Sequence, residues 1–147
     1  MFKAIIPSTL LYGSETWALS EPLIQRLDVA LHECLRMSLN ISRADRVRNE
    51  DIRQRCNHRD IPSIIRENRL RFLGHIARRP DSRILKQMLF ATHTPLAEGK
   101  PRQGGQTIIH TLRDDLQDTN MSPNWYLLAQ DRTSWRADIR DALDIDT

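Results

Sequence analysis

Hydrophobic residues between Leu23 and Leu39 recur at intervals of three or four positions, and polar residues fill most of the positions between them. This spacing is typical of an amphipathic α-helix of about 18 residues. Ser20 stands in the N-cap position before it, Pro22 falls in the first turn, and Asn40 follows the last hydrophobic position. The pattern therefore predicts a helix that begins after Ser20 and ends at Asn40.

Similar patterns predict further helices along the rest of the chain. After the Asp60 cap, four apolar residues fall on one face at about 100° per residue; they are Ile61, Ile65, Phe72 and Ile76. Start or cap positions for the other helices are Asn49, the segment Pro80-Asp81-Ser82, Thr107, Ser122 and Thr133. The chain has only five glycines and no long alternating β-branched run, which disfavours a β fold. We predict an all-α fold, an irregular bundle of about six to seven helices.

Several other hydrophobic side chains are expected to pack in the interior. Tyr12 and Trp17 have the character of packing residues with one polar edge each. Leu85, Met88 and Leu89 give the helix after Ser82 an apolar face.

The chain has the length of one domain, at 147 residues. Residues 93–106 contain two prolines and three glycines, which indicates a flexible, basic loop. We therefore expect a single helical domain of residues 1–147, in which helices of residues 1–92 and 107–147 flank a loop at 93–106.

Positive charge is concentrated in the middle of the chain. The whole sequence has a net charge of +3, but residues 41–103 carry +8, whereas residues 1–40 carry −1 and residues 104–147 carry −4. Lysine occurs only at Lys3, Lys86 and Lys100, so nearly all of this charge is arginine. Arginine favours bidentate phosphate contacts, and the basic middle is the region where nucleic-acid binding is expected.

The most apolar basic segment runs from Asn68 to Arg79, with arginines and apolar residues interspersed around Gly74-His75. Such a helix can pack with one face and contact phosphate with another. Arg66 and Arg71 lie on opposite flanks of the apolar face, so the pattern does not predict one continuous phosphate track. His75 is either a phosphate or base contact or a structural histidine on the helix flank.

Two other basic stretches have two interpretations each. The arginine-rich run at 43–59 is either a backbone-binding surface or a solvated linker, and the same alternatives hold for the loop at 99–102.

Histidines and cysteines at 32, 34, 56 and 58 have the ligand types of a zinc site. Residues two apart on a helix point about 200° apart, so His32 and Cys34 do not share a face. We interpret Cys34 as a core residue and His32 as a surface histidine, and we expect no metal site.

Catalytic motifs are not recognisable in the sequence. No Ser/His/Asp set or phosphate-binding glycine loop is indicated. The acidic pairs Asp114-Asp115 and Asp141/Asp144 are interpreted as solvated helix faces, because neither lies in the strand context of a polymerase metal site.

Two cysteines are too few for a disulfide framework and indicate reduced intracellular thiols. The N-terminal segment lacks the features of a signal peptide, and no apolar run approaches the roughly 18 residues that span a bilayer. We expect an intracellular, soluble protein, nuclear or cytoplasmic, that is not secreted and has no membrane partner.

Six phrases in a fixed order carry a family resemblance. They are Leu-Leu-Tyr-Gly-Ser-Glu-Thr-Trp at 10–17, Cys-Leu-Arg at 34–36, Arg-Val-Arg-Asn-Glu-Asp-Ile at 46–52, Arg-Leu-Arg-Phe-Leu-Gly-His-Ile-Ala-Arg at 69–78, Gly-Lys-Pro-Arg-Gln-Gly at 99–104 and Asp-Arg-Thr-Ser-Trp-Arg at 131–136. Together they resemble the C-terminal part of the endonuclease–reverse transcriptase polyprotein of non-LTR (LINE-like) retrotransposons. The matching positions are Tyr12, Gly13, Glu15, Trp17, Gly74, His75, Arg78, Asp131, Arg132, Trp135 and Arg136. The chain departs from the family in the loop. The family usually has Gly-Arg-Pro followed a few residues later by a tryptophan, whereas this chain has Gly104-Gly105-Gln106 and then Ile109-His110.

The resemblance implies a helical thumb and post-thumb region, which holds template and primer while a polymerase palm performs the chemistry. The palm's aromatic-Ala-Asp-Asp signature and an endonuclease domain are absent from this sequence. We therefore expect a fragment or degenerate copy that is not an enzyme on its own. No cofactor is expected in this chain, whereas the full polymerase would use Mg²⁺.

The expected partners are the backbone of RNA or of an RNA–DNA hybrid, and the missing palm domain. Nine residues are expected to contact nucleic acid: Arg46, Arg48, Arg69, Arg71, His75, Arg78, Arg79, Lys100 and Arg102. The alternative is an inactive helical remnant or protein-interaction module, whose exposed apolar surface would promote self-association.

Overall fold

The computed structural model describes residues 7–90 and 108–145, and these residues form helices and no strand. The predicted all-α fold is confirmed. The α-helices are α1 (Glu21–Leu39), α2 (Asn49–Cys56), α3 (Ile61–Ala77), α4 (Ile84–Leu89), α5 (Ile108–Asp118), α6 (Trp125–Leu128) and α7 (Arg132–Ala142), with short 3-10 turns at Ser14–Thr16 and Arg43–Asp45. The predicted loop at 93–106, with Lys100 and Arg102, lies outside the described residues.

The ends of α1 are where the sequence predicts them. Ser20 is the N-cap, and Asn40 ends the helix in the left-handed conformation at φ 55°. The Asn40 backbone N–H donates to the carbonyls of Arg36 and Met37, so the last turn keeps its hydrogen bonds. The predicted cap of α3 is also confirmed, because the Asp60 carboxylate accepts from the Ser63 N–H at 3.0 Å.

Four other helix starts differ from the prediction. The N-cap of α6 is Asn124, two residues after the predicted Ser122. The N-cap of α2 is Arg48 rather than Asn49, and α4 begins after Arg83 rather than after Ser82. The N-cap of α7 is Asp131, two residues before the predicted Thr133. The Asp131 carboxylate accepts from the Ser134 N–H at 2.7 Å, and a carboxylate at this position also interacts favourably with the helix dipole.

The chain divides into two compact units. The first contains Leu19–Ile65 and the described residues up to Ser14, and the second contains Glu15–Ala18 and the described residues from Arg66 onward. The division falls inside α3, and the expectation of a single domain stays a prediction.

In the first unit, α1 packs against α2, and the buried side chains include Leu31, Leu35 and Ile52. His32 is also buried, while Cys34 is only half-buried, which reverses the prediction for this pair. His32 therefore lies on the buried face of α1. Its Nδ1 atom is 2.7 Å from the Asp28 carbonyl oxygen. This hydrogen bond satisfies one ring nitrogen and reduces the cost of burial.

The second unit has a hydrophobic core that contains Trp125 and Trp135, and the half-buried Phe90 packs against it. The Trp125 and Trp135 ring centroids are 6.1 Å apart, and Phe90 stacks near Trp125 at 6.3 Å. The core contains Leu70, Leu73, Ile76, Ala77, Leu89, Leu112, Trp125, Ala129, Trp135 and Ile139. Helices α3 to α7 all contribute to it.

Gly74 and Trp135 set the contact between α3 and α7. A β-carbon added at Gly74 would lie 2.1 Å from the Trp135 Nε1 atom, so only glycine leaves room for the indole. The same Nε1 donates to the Leu70 carbonyl oxygen at 3.0 Å, which satisfies the buried indole N–H. Trp135 therefore fixes the position of α7 along α3.

Some side chains predicted to be interior are exposed. Tyr12 is 85% exposed, and the next residue, Gly13, has a φ of +75°. On α4, Leu85 and Met88 are 46% and 65% exposed, and only Leu89 of the predicted apolar face is buried.

Candidate nucleic-acid interface

A buried lysine, Lys86, forms hydrogen bonds with the backbone at the C-terminal end of α3. The Lys86 Nζ atom donates to the carbonyl oxygens of Ala77 and Arg79 at 2.9 and 2.8 Å, and it lies 2.8 Å from an Asp81 carboxylate oxygen. The hydrogen bond to Asp81 raises the Lys86 pKa above its ordinary value. These contacts satisfy carbonyls that the helix itself leaves unpaired, and they fix the backbone on which Arg78 and Arg79 are carried.

Arg78 lies between α3 and the start of α7. One of its guanidinium nitrogens donates to the Ala129 carbonyl oxygen at 2.6 Å. Burial, followed by the charges of Arg132 and Arg136, lowers the Arg78 pKa, and Asp131 opposes this effect. The two charge effects indicate that Arg132 and Arg136 lie close enough to Arg78 to repel its guanidinium.

His75 is exposed on α3 one turn before Arg79. The Arg79 Nε and Nη2 atoms lie 3.1 and 2.8 Å from His75 Nε2. Because guanidinium nitrogens only donate, Nε2 must accept, and the ring is then neutral with its proton on Nδ1. The His75 pKa is lowered by partial burial and then by the charges of Arg79, Arg78 and Arg132, in agreement with a neutral ring.

We call His75, Arg78, Arg79, Arg132 and Arg136 the cationic cluster. The arginine side chains at 79, 132 and 136 are exposed, and Arg78 is half-buried. Asp131, the carboxylate that interacts with Arg78, already accepts the Ser134 N–H as the cap of α7. The arrangement leaves an excess of guanidinium donors at one surface, which suits a phosphate or another oxyanion.

Arg69 does not belong to this surface, although the sequence predicted a backbone contact there. Its guanidinium is buried and donates to both Asp115 oxygens, from Nε at 2.6 Å and from Nη2 at 2.7 Å. Arg66 adds a third hydrogen bond to Asp115, at 3.2 Å, and pairs with Asp118 at 3.0 Å. Arg69 is removed from the candidate site because a bidentate buried ion pair leaves it no access to a phosphate.

Arg69 is buried because it pairs with Asp115. The prediction that Asp115 lies on a solvated helix face was wrong. The residue is only 2% exposed, whereas its neighbour Asp114 is exposed. Its charge is already compensated by Arg66 and Arg69, so the Asp114-Asp115 pair does not fit a Mg²⁺ ligand set. Among residues 7–90 and 108–145, no group of three His, Cys, Asp or Glu side chains is placed to hold a metal ion.

The other predicted arginines that the structure describes have different surroundings. Arg71 is exposed but pairs with Glu67 at 2.7 Å. Arg46 and Arg48 are exposed and belong to the first unit. Arg43 and Arg53, from the basic run at 43–59, pair with Glu33 and Glu50. Of the seven predicted residues within the described part of the chain, His75, Arg78 and Arg79 belong to the cluster.

Sequence reasoning missed Arg132 and Arg136 as site residues. They lie in the most acidic third of the chain, so charge distribution gave no reason to choose them. The sequence feature that could have identified them is the phrase Asp-Arg-Thr-Ser-Trp-Arg at 131–136. In this phrase both arginines lie close to Trp135, a large hydrophobic residue that is expected to pack. Once Trp135 packs on Gly74, both arginines are carried to the end of α3.

No helix within the described residues has the length and apolar character that a bilayer crossing requires. The fold and the cluster together define an all-α chain with a compact cationic surface.

Comparison with known proteins gives one informative similarity. No protein-family model matches the chain, and no solved structure matches it. The chain is 29% identical over 156 residues to an uncharacterised transposon-derived protein of Caenorhabditis elegans. The match covers 95% of this chain and 53% of that protein, so the chain spans about half of the relative's length. The similarity supports a transposon origin for this sequence.

Proposed function

We propose that this chain is a non-catalytic nucleic-acid-binding module, the thumb or post-thumb part of a non-LTR retrotransposon reverse transcriptase. It holds the phosphate backbone of RNA or of an RNA–DNA hybrid, while a palm domain outside this chain performs Mg²⁺-dependent synthesis. The transposon-derived relative supports the origin, and the six phrases at 10–136 support the more specific assignment.

The observation that carries the proposal is the cationic cluster. Burial, together with the charges of Arg132 and Arg136, lowers the Arg78 pKa, so its charged form is disfavoured in the free protein. A phosphate backbone relieves this repulsion and supplies acceptors for the guanidinium groups. Elsewhere on α3, Arg69 and Arg71 each pair with a carboxylate, whereas Arg78, Arg79, Arg132 and Arg136 form no ion pair within residues 7–90 and 108–145.

The test measures binding of the full chain to an RNA–DNA hybrid by filter binding across a series of salt concentrations. Arg132→Gln/Arg136→Gln should weaken binding by about tenfold or more, since each charge-assisted contact contributes substantially. The slope of log affinity against log salt should fall by about one for each phosphate contact that is lost.

Arg26→Gln/Arg83→Gln is the matched control. Both arginines are exposed, so the control removes the same two charges outside the cluster. Equal losses in the two variants would show a nonspecific effect of net charge and would contradict the proposal. Binding that does not change with salt would contradict it as well.

Exposed apolar residues favour a second candidate function, that of a protein-interaction module. Ile84 is 74% exposed and Met88 is 65% exposed on α4, where they form part of no described core. Such side chains fit a protein surface, either the missing palm or a second copy of the chain. Gel filtration at several concentrations tests this candidate: Ile84→Ser/Met88→Ser should abolish any concentration-dependent self-association, and a wild-type chain that stays monomeric would exclude the second copy.

A further inference from the structure

A pocket of about 300 Å³ lies in the first unit, beside α1. His32 and Arg36 line it from α1, and Arg43, Arg46 and Asn49 line it from the segment that follows. None of these residues belongs to the cationic cluster. A volume of this size is at the lower end of the range for small-molecule sites.

Arg36 is held in a fixed position in the pocket wall. Its Nη2 atom donates to the Val47 carbonyl oxygen at 2.6 Å and to Asn49 Oδ1 at 2.9 Å. Its Nη1 atom is buried and has no hydrogen-bond partner. A buried guanidinium donor without an acceptor is unfavourable, and an oxyanion is the group that would satisfy it.

His32 presents a second unsatisfied atom at the same pocket. The residue is buried, and Nδ1 lies 2.7 Å from the Asp28 carbonyl oxygen. Nδ1 also lies 3.2 Å from an Asp28 carboxylate oxygen. A carbonyl can only accept, so Nδ1 carries a proton, and when the ring is neutral Nε2 is an acceptor. Nε2 is buried and has no partner. Its match is a hydroxyl or amino donor.

Arg46 supplies positive charge that no described carboxylate compensates. Arg43 pairs with Glu33, which also lines the pocket, but the structure shows no ion pair for Arg46 within residues 7–90 and 108–145. Arg46 is exposed and takes the left-handed conformation at φ 52°, which is uncommon for a residue other than glycine, asparagine or aspartate. Such positions cluster at ligand sites, where the conformation is tolerated for the sake of function.

We propose that this pocket binds a phosphate-bearing group the size of one nucleotide. The phosphate lies against Arg36 and Arg46, the nucleoside part lies against the apolar walls of Val29 and Val47, and a donor on it reaches His32 Nε2. The three arginines that line the pocket outnumber its one glutamate, which gives the positive charge that a phosphate needs.

The test is calorimetric titration of the full chain with three probes: adenosine 5′-monophosphate, inorganic phosphate and adenosine. The nucleotide should bind saturably with one site per chain, and at least about tenfold more tightly than either fragment, because it uses both halves of the pocket. A nucleotide that does not bind, or that binds no better than inorganic phosphate, overturns the proposal.

Arg46→Asn is the principal variant. Asparagine tolerates the left-handed conformation, so the fold should be kept while the charge is removed. Nucleotide affinity should fall about tenfold, in line with loss of a charge-assisted contact. Arg83→Gln, which removes an exposed arginine from the start of α4, should leave the affinity unchanged. Equal affinities of Arg46→Asn and wild type overturn the proposal.

A second variant separates the two halves of the pocket. His32→Phe keeps an apolar ring in the buried position but removes Nε2, so it should weaken the nucleotide and leave inorganic phosphate unaffected. Equal weakening of both would overturn the assigned role of His32.

A free nucleotide and the 5′-phosphorylated end of an RNA strand offer the same chemistry. Titration with a short oligoribonucleotide, with and without its 5′-phosphate, distinguishes these sources. If the strand end is the ligand, the phosphorylated strand binds more tightly than the monophosphate, and Arg46→Asn removes the difference.

Failure of this test is distinguishable from failure of the proposed function. The hybrid-binding experiment depends on Arg132 and Arg136, and the nucleotide experiment depends on Arg46.

Discussion

Two groups of arginines on α3 and its neighbours differ in what faces them. Arg66 and Arg69, at the beginning of the second unit, meet the buried Asp115 of α5. Arg78 and Arg79 directly follow the C-terminal end of α3, and the charges that act on Arg78 come from Arg132 and Arg136 of α7 instead. The comparison shows that an arginine becomes structural or available according to the helix that packs across from it, and not according to its own sequence neighbourhood.

The largest expected effect comes from removing the carboxylate in the compensated group. Asp115→Ala leaves the Arg69 guanidinium buried without a counter-charge, so the free energy of unfolding should fall by about 3–5 kcal/mol. Urea denaturation followed by circular dichroism measures it. Asp118→Ala is the control, because that carboxylate is largely exposed and should contribute less than about 1 kcal/mol. Equal losses would contradict the distinction.

Gly74→Ala should have the next largest effect, since its β-carbon would overlap the Trp135 indole. Forcing the helices apart should cost about 1–3 kcal/mol and should also weaken hybrid binding, because Arg132 and Arg136 move with α7. The same denaturation and binding assays apply. Trp135→Phe provides space, so the double variant should lose less than the sum of the single variants. Strict additivity would show that the two residues are not coupled.

A smaller effect is expected for Arg66→Gln, which should reduce stability without reducing binding to the hybrid. Arg66→Gln removes two partly exposed ion pairs, so the free energy of unfolding should fall by about 1 kcal/mol while hybrid affinity changes less than twofold. Arg132→Gln/Arg136→Gln should show the opposite behaviour. If both variants weaken binding equally, the cationic cluster is not a separate surface.

The smallest expected effect is a pH dependence of binding. In the free protein the His75 pKa lies below its ordinary value of 6.5, whereas phosphate favours the protonated ring and raises the pKa in the complex. Binding then takes up a proton, and affinity should increase as the pH falls from the His75 pKa in the complex to the lower pKa in the free protein, by at most about tenfold per pH unit. The stability of the free protein should instead decrease as the pH falls through 6.5 toward the folded-state pKa, because the unfolded chain binds the proton more tightly. His75→Gln should flatten the affinity profile, and an unchanged profile would place the titrating group elsewhere.

Local patterns predicted the elements better than they predicted the contacts. The limits of α1 and the Asp60 cap follow from residues within one helical turn, and both are confirmed. His32 and Asp115 were assigned to the surface because a single helix does not reveal which neighbour covers it. Asp115 is covered by Arg69, which lies 46 positions earlier in the chain, so the sequence around α5 does not reveal that it is buried.

The candidate site shows the same limit. His75, Arg78 and Arg79 could be predicted from a basic apolar helix, but the selection of Arg132 and Arg136 depends on the packing of Trp135 on Gly74. Composition points away from this acidic third of the chain. The sequence also gave no reason to separate Arg69 from Arg78, because both lie among the same kinds of neighbours.

Lys86 has a practical consequence for solution experiments. Its amino group is enclosed by two carbonyl oxygens and a carboxylate, and its pKa is raised, so little of the nucleophilic free amine is present or accessible. An amine-reactive reagent should modify it only when the end of α3 opens. The rate of labelling at this single position would therefore report local unfolding beside the cationic cluster, and bound nucleic acid should slow it.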